Sequence, residues 1–93
     1  MDTKKSYHLR EGVQVRKETF GLLFYDYRGP RLYFVPTKNL IENDFFNGAQ
    51  TAEGLIESIC TRHRQSRQSS QQWVLQVLTM LEQKGLIHEQ SIC

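Results

Sequence analysis

Residues 20–36 read FGLLFYDYRGPRLYFVP, and the way this stretch folds back on itself decides the architecture. Phe20 to Tyr25 is apolar on both faces, as a central strand is. Tyr27-Arg28-Gly29-Pro30 supplies turn chemistry, with Gly and Pro as punctuation. Arg31 to Val35 is a further strand, and Pro36 ends it because proline has no N–H to give to a ladder. Working back toward the N-terminus, Val13 and Val15 alternate with Gln14 and Arg16, the period of a half-buried strand. Three strands joined by short connections predict an antiparallel meander.

Past Pro36 the period becomes helical. Thr37 or Asn39 can cap a helix carrying Leu40, Ile41, Phe45 and Phe46, which Asn47-Gly48 closes. Thr51 caps a second helix, in which Leu55, Ile56, Ile59 and Cys60 repeat at helical spacing. Arg62 to Gln72 (RHRQSRQSSQQ) holds no apolar residue and reads as a solvated linker. Ser69 or Ser70 then caps the strongest helix, running to about Lys84 with Val74, Leu78 and Leu81 on one stripe. Gly85 terminates it, and Leu86-Ile87 packs back as a short extended tail. The predicted fold is α+β and winged-helix-like: a three-stranded antiparallel sheet followed by three α-helices, the wing hairpin first.

Ninety-three residues give one domain, 1–93, with 1–6 and 89–93 expected as flexible tails. Twelve basic against ten acidic residues leave a net charge of only +2, short of the clustered charge of a dedicated nucleic-acid binder. Cys60 sits in an apolar helical pattern and Cys93 is the last residue, so the sequence suggests no disulfide framework and no structural zinc site. No signal peptide and no membrane-spanning run is legible, and the chain reads as cytoplasmic.

No catalytic constellation is visible. His8, His63 and His88 are far apart in sequence, with no nucleophile or ligand-spaced carboxylate beside them. P-loop, GxGxxG and GxSxG patterns are missing, and Ser69-Ser70 reads as a cap. The sequence predicts no enzyme activity and no cofactor.

Two features point to binding instead. Strand Arg31–Val35 closes the meander and leaves an open sheet edge, whose unpaired N–H and C=O groups can take up an extended peptide as another strand. Pattern alone favours the plainer reading, an edge protected by its shortness, by Pro36 and by Arg31. On the last helix, Trp73, Val77 and Met80 fall one turn apart, with Lys84 continuing the row. That row either widens the core face or lines a groove beside the third strand. Two other function classes stay open. Arg62, His63, Arg64 and Arg67 precede a last helix in the manner of a DNA-binding winged-helix regulator, although that helix is rich in Gln and poor in cations. The open edge could also pair with a second copy, making a structural dimerisation domain.

The run from Val13 to Tyr25, followed by Arg31 to Phe34, resembles the mycofactocin-biosynthesis peptide chaperones. These are stand-alone RiPP recognition elements related to the peptide chaperone of pyrroloquinoline-quinone biosynthesis. The matching positions are Val15, Arg16, Glu18, Phe20, Gly21, Leu23 and Tyr25, then Arg31, Leu32 and Phe34. The resemblance runs from about Tyr7 to Ile87, with the helical half agreeing in length and order. It implies a winged-helix-like receptor without cofactor or catalysis. It implies a precursor peptide partner, bound as an added strand between strand three and helix three, and a radical S-adenosylmethionine maturase of the SPASM type that modifies the peptide. On that reading Arg31, Leu32, Tyr33, Phe34 and Val35 supply main-chain hydrogen bonds. Trp73, Val77, Met80 and Lys84 form the opposite wall, with Arg31 and Lys84 meeting acidic side chains of the leader. No nucleic acid and no membrane are expected as partners, and a homodimer is compatible with the open edge.

Overall fold

The structure, a computed structural model, describes residues 4–29, 31–37 and 40–90. Strands β1 (Ser6–Leu9), β2 (Val13–Glu18), β3 (Gly21–Asp26) and β4 (Arg31–Val35) come first. A single 3-10 turn (Asn43–Phe46), β5 (Asn47–Thr51), α1 (Ala52–His63), α2 (Arg67–Gln83) and β6 (Ile87–Gln90) follow. The strands form two three-stranded antiparallel sheets, ordered β2-β3-β4 and β5-β1-β6. The fold is α+β, but it corrects the expected single sheet with three helices. Among the described residues there are two α-helices, and a second sheet joins the two ends of the chain.

The meander reads out as the sequence predicts. Val13 pairs with Asp26 and Glu18 with Gly21 across β2 and β3, while Leu22 pairs with Val35 and Asp26 with Arg31 across β3 and β4. Because side chains alternate along a strand, Val13, Leu22, Phe24, Asp26 and Val35 turn inward and are buried. Gly21 earns its place by close approach. A Cβ there would sit 2.1 Å from the Val35 carbonyl oxygen and 2.9 Å from the Pro36 Cα, so only glycine lets the chain leave β4 across the start of β3.

The first expected helix is the point of failure. Leu40, Ile41, Phe45 and Phe46 have helical spacing, yet only Asn43–Phe46 turn, and as a 3-10 turn. Asn47-Gly48 does not close a helix: Asn47–Thr51 pair with β1, with a register slip between Ser6–Thr51 and His8–Asn47. Tertiary packing overrides propensity here. Phe45 stacks on Tyr7 of one sheet, with ring centroids 6.3 Å apart, and Phe46 lies edge-on to Phe24 of the other at 5.4 Å. One turn thus places adjacent rings against both sheets, and β5 offers its backbone to β1. Of the candidate caps, Thr37 is buried ahead of that turn, and Asn39 lies outside the described residues.

Helix boundaries follow local chemistry. The Thr51 hydroxyl accepts from the Gly54 N–H and starts α1, as expected. The stretch Arg62–Gln72 is not a long linker. α1 runs to His63, Arg64 takes a left-handed conformation (φ 52°), and Ser66 caps α2 by accepting from the Ser69 N–H. Arg and Gln are good helix formers, so a helix end extending past the core needs no apolar residues. Arg67 also reaches Glu53 and Glu57 on α1 at 3.1 and 3.7 Å.

α2 ends in a Schellman arrangement. Gly85 has φ 73°, its N–H donates to the Glu82 carbonyl at 2.9 Å, and the Leu86 N–H donates to Leu81 at 3.0 Å. The chain then enters β6, so the expected tails are partly strand: β1 begins at Ser6, and β6 runs through Glu89 to Gln90. Residues 1–3 and 91–93, Cys93 among them, lie outside the described residues. One contiguous core collects Tyr7, Phe24, Phe45, Ile56, Leu78 and Ile87 from both sheets and both helices. No helix among the described residues is long and apolar enough to cross a membrane.

Candidate functional site

β4 is an edge of its sheet, paired with β3 on one side. Its residues divide by parity. Tyr33 and Val35 turn toward the core, with Val35 buried and Tyr33 half-buried. Leu32 and Phe34 turn to the outer face and are 60% and 52% exposed. The nine residues expected to form one cleft are distributed between the outer face, the core and its margin. Val35 and Val77 are core residues, while Trp73 and Met80 are half-buried and pack against the core margin. Met80 also borders a shallow hollow on the exposed side of α2 with Gln76 and Gln83.

The contact that brings strand and helix together lies at the end of that row. The Lys84 ammonium stands 5.0 Å from the centre of the Tyr33 ring, and the Arg31 guanidinium lies 5.8 Å from the same ring. Both are within the range in which a cation is attracted to an aromatic face. Tyr33 is thus flanked by two cations, one from its own strand and one from the end of α2, at the margin where the strand edge meets the helix.

That geometry is held by two residues the sequence reading did not single out. Asp26, at the end of β3, is buried. Its carboxylate accepts from Arg28 Nε at 2.9 Å and from Arg31 at 3.2 Å, and the backbone N–H of Arg28 donates to it at 3.0 Å. The Arg28 guanidinium beside it, more than any other group, holds the Asp26 carboxyl at about 2, below its ordinary value of 3.8. Arg28 also donates to the Gly85 carbonyl oxygen at 2.8 Å. The β3–β4 turn is thereby tied to the C-terminal end of α2, next to Lys84. The available signal was parity: Asp26 continues the inward series of Leu22 and Phe24, and a carboxylate in that position needs a cationic partner. Arg31, expected to meet a partner's acid, spends part of its charge on Asp26.

The other matched positions sort cleanly. Arg16 and Glu18 pair with each other at 2.6 Å on the exposed outer face. His8 and His88 meet as cross-strand partners of β1 and β6, with ring centroids 5.9 Å apart, although the sequence places them far apart. No group of three His, Cys, Asp or Glu side chains able to hold a metal occurs among the described residues.

Comparison with known families decides the assignment. The family model for the peptide chaperone MftB family matches residues 6–88. The chain belongs to the peptide chaperone MftB family. Membership makes it a peptide-binding and peptide-presenting protein of mycofactocin biosynthesis, a chaperone's role and a non-catalytic one. No curated protein and no solved structure matches the chain. The matched span begins at β1 and ends inside β6, so the second sheet belongs to the MftB unit as much as the meander does.

Proposed function

We propose that the chain binds its precursor peptide by strand addition to β4, beside α2, and presents it to a radical S-adenosylmethionine maturase. The observation that carries this reading is the meeting of Lys84 and Arg31 over Tyr33 at an open strand edge. An added strand gains main-chain hydrogen bonds from β4, and its inward side chains rest against Tyr33 and the Trp73, Met80 and Lys84 margin. Carboxylates of the peptide are favoured near Lys84 and Arg31, each contact contributing little because both cations are exposed. Holding the peptide raises its effective concentration at the maturase without adding anything to the chemistry there.

The test is a titration of fluorescently labelled, synthetic mycofactocin precursor peptide followed by anisotropy. Saturable binding, competed by unlabelled precursor and not by a scrambled peptide, is the expected result. N-methylation of the precursor backbone at alternate residues, which removes strand donors and leaves the side chains, should abolish binding. Tyr33→Pro should do the same in a protein that circular dichroism finds folded. Undiminished affinity in both experiments would eliminate strand addition.

A further inference from the structure

Protected sheet edges are normally charged, short or covered, yet β4 exposes large apolar residues on the face turned away from α2. Leu32 is 60% and Phe34 52% exposed. The neighbouring outward residues of the central strand, Leu23 and Tyr25, are only half-buried, and they share with Leu32 a shallow depression whose rim includes Arg16 and Tyr27. Phe20, in the β2–β3 turn, is 71% exposed. On this face, apolar exposure on the strands is greatest at the open edge.

An added strand cannot engage one face alone. Its side chains alternate with a period of two, so every second residue must fall on the outer face, about 5 Å from Leu32 or Phe34. We infer that β4 reads its peptide from both sides: inward residues against Tyr33 and α2, and outward residues, apolar in character, against Leu32 and Phe34. This inference rests on the strand-addition reading and adds to it the chemistry of the ligand. The occupant is an extended segment apolar at successive outward positions and acidic toward the Arg31 end. The charge distribution agrees. The carboxylate of Glu18 on this face is already taken by Arg16 at 2.6 Å, and Arg31 and Lys84 leave the edge cationic. Leu32 and Phe34 are thus specificity-determining residues for the outward half of the peptide.

The experiment uses the full chain, the labelled synthetic mycofactocin precursor and the double variant Leu32→Ser/Phe34→Ser. Both residues are more than half exposed but pair with Leu23 and Tyr25 of β3, so the urea midpoint should fall modestly, with a cooperative transition kept, while affinity falls about ten-fold, from two cross-strand pairs to the peptide lost. Serine scanning of the precursor should find an alternating set of positions that matters with the wild-type protein and no longer matters with the double variant. Unchanged affinity in the double variant, alongside loss of binding by the N-methylated precursor, overturns the two-face reading and leaves strand addition standing. If neither perturbation weakens binding, strand addition fails and this inference fails with it. A double variant that changes mass in sedimentation but not peptide affinity assigns the face to a second copy of the chain, and also overturns it.

Discussion

Phe46→Ala tests the element on which the two sheets depend. Phe46 is buried, with its ring edge-on to Phe24 at 5.4 Å and to Phe45 at 5.1 Å. Truncating a buried phenylalanine costs about 3–5 kcal/mol in lost transfer energy and residual cavity. Of this, each edge-to-face pair contributes roughly 0.5–1.5 kcal/mol beyond area burial. A chain of 93 residues has a total stability of roughly 5–14 kcal/mol, so the variant should lose about a fifth of it or more. Phe46→Leu keeps most of the volume and loses the ring geometry, and should cost about 1–2 kcal/mol. The assay is urea unfolding by far-ultraviolet circular dichroism, with fluorescence of Trp73, the single tryptophan, as a second probe. Coincident transitions and an unchanged slope would license the free-energy difference. A loss below about 1 kcal/mol for Phe46→Ala, or equal losses for the two variants, would refute the view that this ring wedges the turn against the β2-β3-β4 sheet.

Acid sensitivity should trace to Asp26. Its folded pKa, about 2, is below the ordinary 3.8, so the stability it contributes is present above pH 4 and fades as pH falls from about 4 to 2. Thermal melts across that window should show a shallower pH dependence for Asp26→Asn, and an identical acid slope would count against the ion cluster. Gly21→Ala forces a Cβ to 2.1 Å from the Val35 carbonyl, whereas a Cβ at Gly29 meets nothing within 4 Å. Calorimetry should find the first variant destabilised by about 2 kcal/mol or more and the second by under ~0.5 kcal/mol; comparable melting temperatures would contradict the close approach. Thr51→Ala removes the hydroxyl that accepts from Gly54, and should lower stability by about 1 kcal/mol and the melting temperature by roughly 4–8 °C. No shift on melting would mean that the cap is replaced by water.

The meander was legible because its signals are local. Val13 to Arg16 alternates at period two, Phe20 to Tyr25 and Arg31 to Val35 are short apolar-rich runs, the turn residues sit between the runs, and Pro36 ends the last strand. α1 from Thr51 and the end of α2 at Gly85 were legible for the same reason, each resting on one cap. The second sheet was not, since nothing in Asn47–Gln50 resembles a strand taken alone. Those residues are extended because β1 lies beside them, and β1 lies there because β6, some eighty residues later, pairs with it from Ser6–Gln90 to Leu9–Ile87. Pairing of that range leaves no pattern in either segment. The candidate site divides in the same way. The open edge at β4 and the Trp73–Lys84 row could be read from spacing, but that Leu32 and Phe34 turn away from α2 required the sheet's parity to be anchored.

The residues that were missed explain why the ones that were found stand where they do. An exposed strand edge and a helix margin bind a peptide more tightly when their separation is set before the peptide arrives, since ordering them on binding would subtract from affinity. Asp26 is buried and acidic, so it fixes Arg28; Arg28 spans from the β3–β4 turn to the Gly85 carbonyl; and Gly85 ends α2 one residue after Lys84. The helix terminus is therefore pinned to the hairpin that supplies the edge, and Lys84 reaches Tyr33 as a consequence. Seen this way, the buried charge in β3 does for the site what the apolar core does for the fold. It accounts for a carboxylate in the inward series of a strand, for an arginine in a tight turn, and for a helix that stops at a glycine whose carbonyl oxygen has a side-chain donor waiting.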